Sequence, residues 1–247
     1  MFPYDRELLA CLQTPPIAVA DVLATMQSID ALTIPTDGLK WFNGLYLAVT
    51  QAVENRVQSG GFTDAAFLAQ LDVQFARLYF DALRNSLSGE SVPSCWIALF
   101  SVRNLPGLTR IQCALAGINA HINHDLPIAI VNTCKSAALA PQHASVQYTD
   151  YTSLNSTLDS LIEQAKHTLN VGMLGEAIPA GSVLEDTLAA WSVSAARETA
   201  WNNAELLWHL EPEPTLTAAF LDSLDGLSTV VGKVLLTPLP ALEVLPD

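Results

Sequence analysis

Basic residues are scarce: Lys and Arg total 11 against 25 Asp and Glu in 247 residues, leaving a formal net charge of −14. A chain of that sign repels phosphate backbones and anionic headgroups, so nucleic acid is excluded as a partner and an acidic membrane surface is disfavoured. Long apolar runs are missing too. Mean hydropathy is high, at +0.30, yet no uninterrupted stretch approaches the ~20 apolar residues of a bilayer span. The four cysteines, Cys11, Cys95, Cys113 and Cys134, include no C-x-x-C pair. Cys113 and Cys134 fall on one expected helix about 30 Å apart, too far for a disulfide. Also absent are a Gly-x-Ser-x-Gly elbow, a Walker or dinucleotide glycine loop, and a His-Glu-x-x-His or Glu-x-x-His motif. Those gaps argue against serine hydrolases of the elbow type, P-loop enzymes, zincins and carboxylate-bridged di-iron bundles. The opening residues show no basic segment followed by an apolar one, so a cytoplasmic location is expected.

What the chain does have is apolar bulk in helical spacing. Half of its residues are hydrophobic, enough for a substantial core, and between Gly and Pro breaks the apolar positions recur nearer 3.6 than 2 residues apart. Asp37 caps a helix running through Trp41, Leu45, Val49 and Val53 to Gly60-Gly61. Thr63 and Asp64 cap the next, which carries Phe67, Leu71, Phe75, Leu78 and Leu83 and stops near Ser88-Gly89. A shorter segment spans Pro93 to Val102, and a central one begins after Pro106-Gly107 and reaches Ala137. Pro127 must kink or split that helix, because it lacks an N–H and crowds the carbonyl of Asn123. Later helices are expected from Asp150 or Ser153, from Ser182 to the Glu211-Pro212-Glu213-Pro214 stop, and from Thr215 to about Leu236. The expected architecture is one all-α domain of seven or eight helices over residues 1–237, followed by a Pro-rich tail at 238–247. Helices 64–88 and 107–136 are apolar around much of their circumference, which places them centrally.

The chemistry concentrates in Gly117-Ile118-Asn119-Ala120-His121-Ile122-Asn123-His124-Asp125-Leu126-Pro127. Five hydrogen-bonding side chains sit there between apolar flanks, and burying each without a partner costs roughly 1–3 kcal/mol. His121, His124 and Asp125 stand at i, i+3 and i+4, so one helix face carries all three. A carboxylate that orients a histidine is the pattern of general acid–base catalysis near neutral pH. Two histidines and an aspartate also form a partial metal set, in which Glu54 or Asp72 from another helix would be a further ligand for Zn or Fe. Asn119 and Asn123 point elsewhere and suit bracing or binding. Asp72 and Tyr79 share the stripe of Phe75, and Arg197 that of Trp201 and Trp208, so these are candidates to point inward. An Arg turned inward requires an anion. Arg77 with Asp81, Glu163 with His167 and Glu205 with His209 read as solvated i, i+4 pairs.

Gly117, Asn119, Ala120, His121, Ile122, Asn123, Asp125 and Leu126 match a G-x-N-A-H-I-N-x-D-L core, and Ala196, Arg197, Ala200 and Trp201 a later A-R-x-x-A-W. On those residues the chain resembles a bacterial, all-helical family of unknown function from about Phe42 to Trp208. The resemblance implies that His121, Asn123, Asp125 and Arg197 belong together, and it implies no reaction. The expected function is an enzyme acting on a small, largely apolar molecule in an interhelical pocket, with no cofactor and with its reaction open among cyclisation, isomerisation, elimination and hydrolysis. His121 or His124 would be the acid or base, Asp125 the orienting carboxylate, and Arg197 the anchor for substrate charge or for Asp125. Asn119, Asn123, Asp72, Tyr79 and Trp201 would complete the pocket. The alternatives are a metal-dependent hydrolase or oxygenase on His121, His124 and Asp125, and a non-catalytic binding or interaction protein.

Overall fold

A computed structural model describes residues 2–171 and 192–238, with side chains of 166–171 excepted. Among these the fold is all-α. The helices are α1 (Asp5–Cys11), α2 (Val19–Leu32), α3 (Gly38–Gln58), α4 (Ala65–Ser88), α5 (Ser94–Phe100), α6 (Arg110–Ala120), a π-helical turn (His121–Asp125), α7 (Leu126–Ser136), α8 (Val146–Ser153), α9 (Asn155–Val171), α10 (Val193–Leu210) and α11 (Pro214–Leu235). Among the described residues nine α-helices have eight residues or more, rather than the seven or eight expected, and α1 and α5 have seven each. The expected break at Gly172–Gly181, the proposed start at Ser182 and the Pro-rich tail from 239 lie outside the described residues.

Local chemistry accounts for the boundaries that the sequence marks clearly. Asp37 accepts from the Leu39 amide at the start of α3 and Asp64 from Phe67 at the start of α4; Ser192 caps α10 through the Ala195 amide, so α10 begins at Val193, inside the span expected as one helix from Ser182. Gly89 ends α4 at φ +75°, a conformation that a side chain would strain. Between α8 and α9 the expectation missed by several residues: Ser145 caps α8, and the helical path continues past Leu154. α1 and α2 were not foreseen, because their N-cap residues, Tyr4 and Ala18, carry no capping side chain to announce the start.

The α6–π–α7 rod is the axis of the protein. Residues 111–121 are buried without exception. α6 packs against α3 and α11, α7 against α10 and α4, and the π turn against α10, α11 and α4. Gly117 makes the α3–α6 approach possible, since a Cβ there would lie 2.3 Å from Cγ of Phe42. Buried polar ties complete the frame. Arg103 grips Asp37 through two nitrogens at 3.0 and 2.7 Å and Asp5 at 2.8 Å. Asp150 of α8 accepts the Thr63 and Asp64 amides at the head of α4. Among the described residues no helix is long and apolar enough to cross a membrane.

Candidate functional site

Pro127 breaks the central helix as expected, but the break is a π turn rather than a simple kink. Leu126 donates its amide to His121 O, five residues back, within the turn that holds His121, His124 and Asp125. Asp125 is the hub. Its Oδ2 lies 2.9 Å from His121 Nδ1 and 3.0 Å from Trp96 Nε1, and its Oδ1 lies 2.7 Å from His124 Nδ1. Burial alone would raise the Asp125 pKa, but the hydrogen bonds from the two histidines outweigh it and hold the carboxyl below its ordinary value. An ionised carboxylate only accepts, so both Nδ1 atoms carry hydrogen and each neutral ring keeps its lone pair on Nε2. For His121 burial dominates and lowers the pKa, leaving a neutral imidazole. For His124 burial acts the same way but is outweighed by the hydrogen bond and charge of Asp125, so its pKa rises.

Aromatic rings enclose His121. Phe75 stacks on it at 3.4 Å between centroids and 5° between planes, while Tyr46 stands edge-on at 4.5 Å. Phe42 and Trp96 lie 5.8 and 5.9 Å away. Beside this cage is an apolar cavity of about 60 Å³, lined by His121, Phe42, Tyr46, Phe75, Ile122 and Arg197 among others. A second, of about 50 Å³, is lined by Asp72, Leu68, Leu126, Tyr151 and Arg197. The two share Tyr46, Val49, Phe75, Leu158 and Arg197 as common wall. At roughly 10–15 Å³ per water on this measure, each has room for about four waters or a small organic fragment.

Four buried side-chain atoms among the described residues make no hydrogen bond: Tyr46 Oη, Thr50 Oγ1, Asp72 Oδ2 and His121 Nε2. Three of the four belong to residues that line this pair of cavities. The Tyr46 hydroxyl sits beside that of Thr50, one turn on, without the alignment of a hydrogen bond. Burial, helped by the charge of Glu54, pushes Asp72 up to about 7. Larger clefts of about 330, 340 and 410 Å³ open elsewhere on the surface, and none of the four unpaired atoms lines them.

Arg197 points inward as expected and lines both cavities. Its guanidinium donates to Asn155 Oδ1 and Tyr151 O, both at 2.8 Å, and lies 3.8 Å over the Tyr151 ring. These partners are neutral, and no carboxylate among the described residues forms an ion pair with it. Burial lowers its pKa, against smaller opposing effects of Tyr151 and Asp159.

Other expected site residues lie elsewhere. Asn119 donates to Ser228 O on α11 at 2.7 Å, and Asn123 donates to Asn119 at 3.0 Å, so the asparagines brace helices away from the cavity walls. Tyr79 and Trp201 are fully buried without lining either cavity: Tyr79 packs against Phe42 and Trp96, and Trp201 against Tyr148 and Tyr151. Glu54 accepts from Gln58 at the surface and reaches the site only through its charge on Asp72. With both Asp125 oxygens bonded to histidine Nδ1 atoms, His121, His124 and Asp125 form a relay rather than a convergent ligand set.

Of three expected i, i+4 pairings, the two whose residues are described have other outcomes. Arg77 binds Pro16 O and leaves Asp81 to Arg84. Glu205 bonds His143 and Trp201 in place of His209, and the side chain of His167 lies outside the described residues. The roles of Phe75, Tyr46, Phe42 and Trp96 around His121 were missed, because aromatic spacing on α3, α4 and α5 reads equally as core.

The fold and site together define an all-helical protein built round a buried His–Asp–His relay with an apolar cavity at one histidine. The chain belongs to the family described as "Family of unknown function (DUF5995)", whose model matches residues 19–238. Searches of curated proteins and of solved structures found no match.

Proposed function

We propose that the protein is an acid–base enzyme that moves a proton within a small, largely apolar substrate spanning the two adjoining cavities once the Phe75 ring between them turns aside, an isomerisation in reaction type. His121 Nε2 is the base. Asp125 fixes the ring through Nδ1 and stabilises the imidazolium that forms. Asp72, whose pKa of about 7 keeps much of it protonated at neutral pH, returns a proton from the other side of the Tyr46 and Phe75 wall. A base kept neutral and an acid kept protonated in adjoining cavities form a matched pair of the kind that proton transfer needs. Arg197 holds a carbonyl or carboxylate on the substrate.

The observation that carries this reading is the set of unpaired atoms: of four buried side-chain atoms without a hydrogen bond among the described residues, three lie on residues walling the two adjoining cavities. Buried polar groups cost about 1–3 kcal/mol each when left unpaired, and a ligand that pairs them offsets that cost. The test is proton exchange. The protein is incubated in D2O with a panel of small apolar carboxylic acids and enones bearing acidic C–H bonds, and deuterium uptake is followed by mass spectrometry. Wild type should accelerate uptake into at least one member, and His121→Ala should reduce it to background. Equal rates for wild type, His121→Ala and buffer across the panel would sink the proposal.

A further inference from the structure

Outside the two cavities, Cys95, His124 and Asp225 bring one donor atom each within 4.8 Å of the others. They come from three separate elements: the first turn of α5, the π turn and the middle of α11. Cys95 and His124 are buried, and Asp225 is half-buried. None of the three lines either cavity. We propose that Cys95 Sγ, His124 Nε2 and an Asp225 carboxylate oxygen bind one divalent transition-metal ion of the zinc class, with Asp125 as the outer carboxylate that orients His124. The site stands independently of any role for His121.

The donors suit such an ion. A thiolate, an imidazole and a carboxylate are its customary ligands, and three protein ligands leave a fourth position for water or a further ligand. Metal–ligand distances of about 2.0–2.3 Å place tetrahedral donors about 3.3–3.8 Å apart, so separations within 4.8 Å close with side-chain shifts of about 1 Å. Binding breaks the Cys95 S–H bond, sends its proton to bulk water and forms the sulfur–metal bond, with no change of oxidation state. Thiolate and carboxylate together then neutralise the dication.

The surroundings are ordered for the task. With Nδ1 turned to Asp125 at 2.7 Å, the nitrogen of His124 left for a metal is Nε2, the usual arrangement in which a carboxylate orients a metal-bound histidine. The Asp225 carboxylate is pinned by the amides of Ser94 and Cys95 at 2.9 and 2.8 Å. If Asp225 served merely to hold the start of α5, neither the inward histidine nor the thiol would be needed beside it.

The test uses full-length protein stripped with chelator and titrated with Co2+, then Zn2+. One equivalent of Co2+ should produce a thiolate-to-cobalt charge-transfer band and the intense visible bands of tetrahedral cobalt, both removed by Zn2+. Cys95→Ser should lose the charge-transfer band, and Asp125→Asn should keep it while weakening affinity about 10- to 100-fold. Folded wild type without that band, or a band undiminished in Cys95→Ser, overturns the proposal. Should Cys95→Ser fail to fold, Asp225→Asn decides: affinity at least tenfold weaker with the band retained supports the site, and unchanged affinity overturns it.

Discussion

Gly117→Ala adds one methyl group at the closest approach of α3 and α6. The new Cβ would stand 2.3 Å from Phe42 Cγ, 2.4 Å from Cδ2 and 2.7 Å from Cβ. Carbon atoms in contact prefer about 3.5–4.0 Å, so the two helices or the Phe42 ring must yield by more than 1 Å. The clash falls at the root of the side chain, where no rotamer change relieves it. The ring is also hemmed in by Tyr79 at 4.9 Å, Trp96 at 5.2 Å and Tyr46 at 5.9 Å. Overpacking of this kind costs typically 1–3 kcal/mol, and the helical preference of Ala over Gly returns about 1. Taking the upper end for a site this rigid, the net loss is about 2 kcal/mol, or about 4–8 °C in Tm for a chain of this size.

Urea unfolding followed by circular dichroism measures the effect. Gly226→Ala is the matched control, because Gly226 lies exposed within α11 with nothing within 4 Å of a built Cβ. It should stabilise the protein by about 0.5–1 kcal/mol. Phe42→Leu in the Gly117→Ala background should recover part of the loss relative to the sum of the single changes. If Gly117→Ala proves as stable as wild type, α3 and α6 do not meet as closely as described, and the position of Phe42 beside His121 falls with that contact.

Asp125→Asn removes a carboxylate that accepts from Trp96 and both histidines, and should cost about 3–5 kcal/mol in urea unfolding at pH 7; a loss under 1 kcal/mol would refute its role as the buried hub. The raised pKa of Asp72 makes a pH prediction with a definite sign. Its folded value of about 7 exceeds the ordinary 3.8, so the unfolded chain releases this proton first and stability falls as pH rises from about 4 to 7, by up to about 4 kcal/mol. Asp72→Asn should flatten that part of the stability–pH curve and stabilise the protein at pH 8, and an unchanged slope would refute the assignment. Phe75→Ala should join the two cavities: benzene or xenon, followed by NMR shifts of the surrounding methyl groups, should bind more tightly than to wild type, and equal affinity would show that Phe75 is not the partition.

Most helices were legible because their signals are local. Asp37, Asp64 and Gly89 cap or stop helices through hydrogen bonds and backbone angles set within a few residues, and those boundaries fall close to expectation. α1 and α2 begin at Tyr4 and Ala18, which offer no capping side chain, and escaped notice. Within the site, Gly117 to Pro127 stood out because polar side chains interrupt an apolar helix, and Arg197 because a cation shares a stripe with tryptophans. Asn119, Tyr79 and Trp201 looked equally promising, since a polar group on a buried stripe gives the same pattern whether it meets a cavity wall or a neighbouring backbone.

By itself, then, the sequence determined an all-helical chain, its main caps and stops, and the segment where buried polarity concentrates, for each depends on residues within a turn or two of one another. Tertiary structure decided how that polarity is shared. It placed Asp125 between two histidines under the Trp96 indole, turned Asn119 to α11, and left His121 Nε2 and Asp72 Oδ2 unpaired on residues that wall two adjoining cavities. It also brought Asp225 to Cys95 across 130 residues of chain. Contacts of that range depend on how helices pack, and periodicity along one helix records which face is buried but not what that face meets.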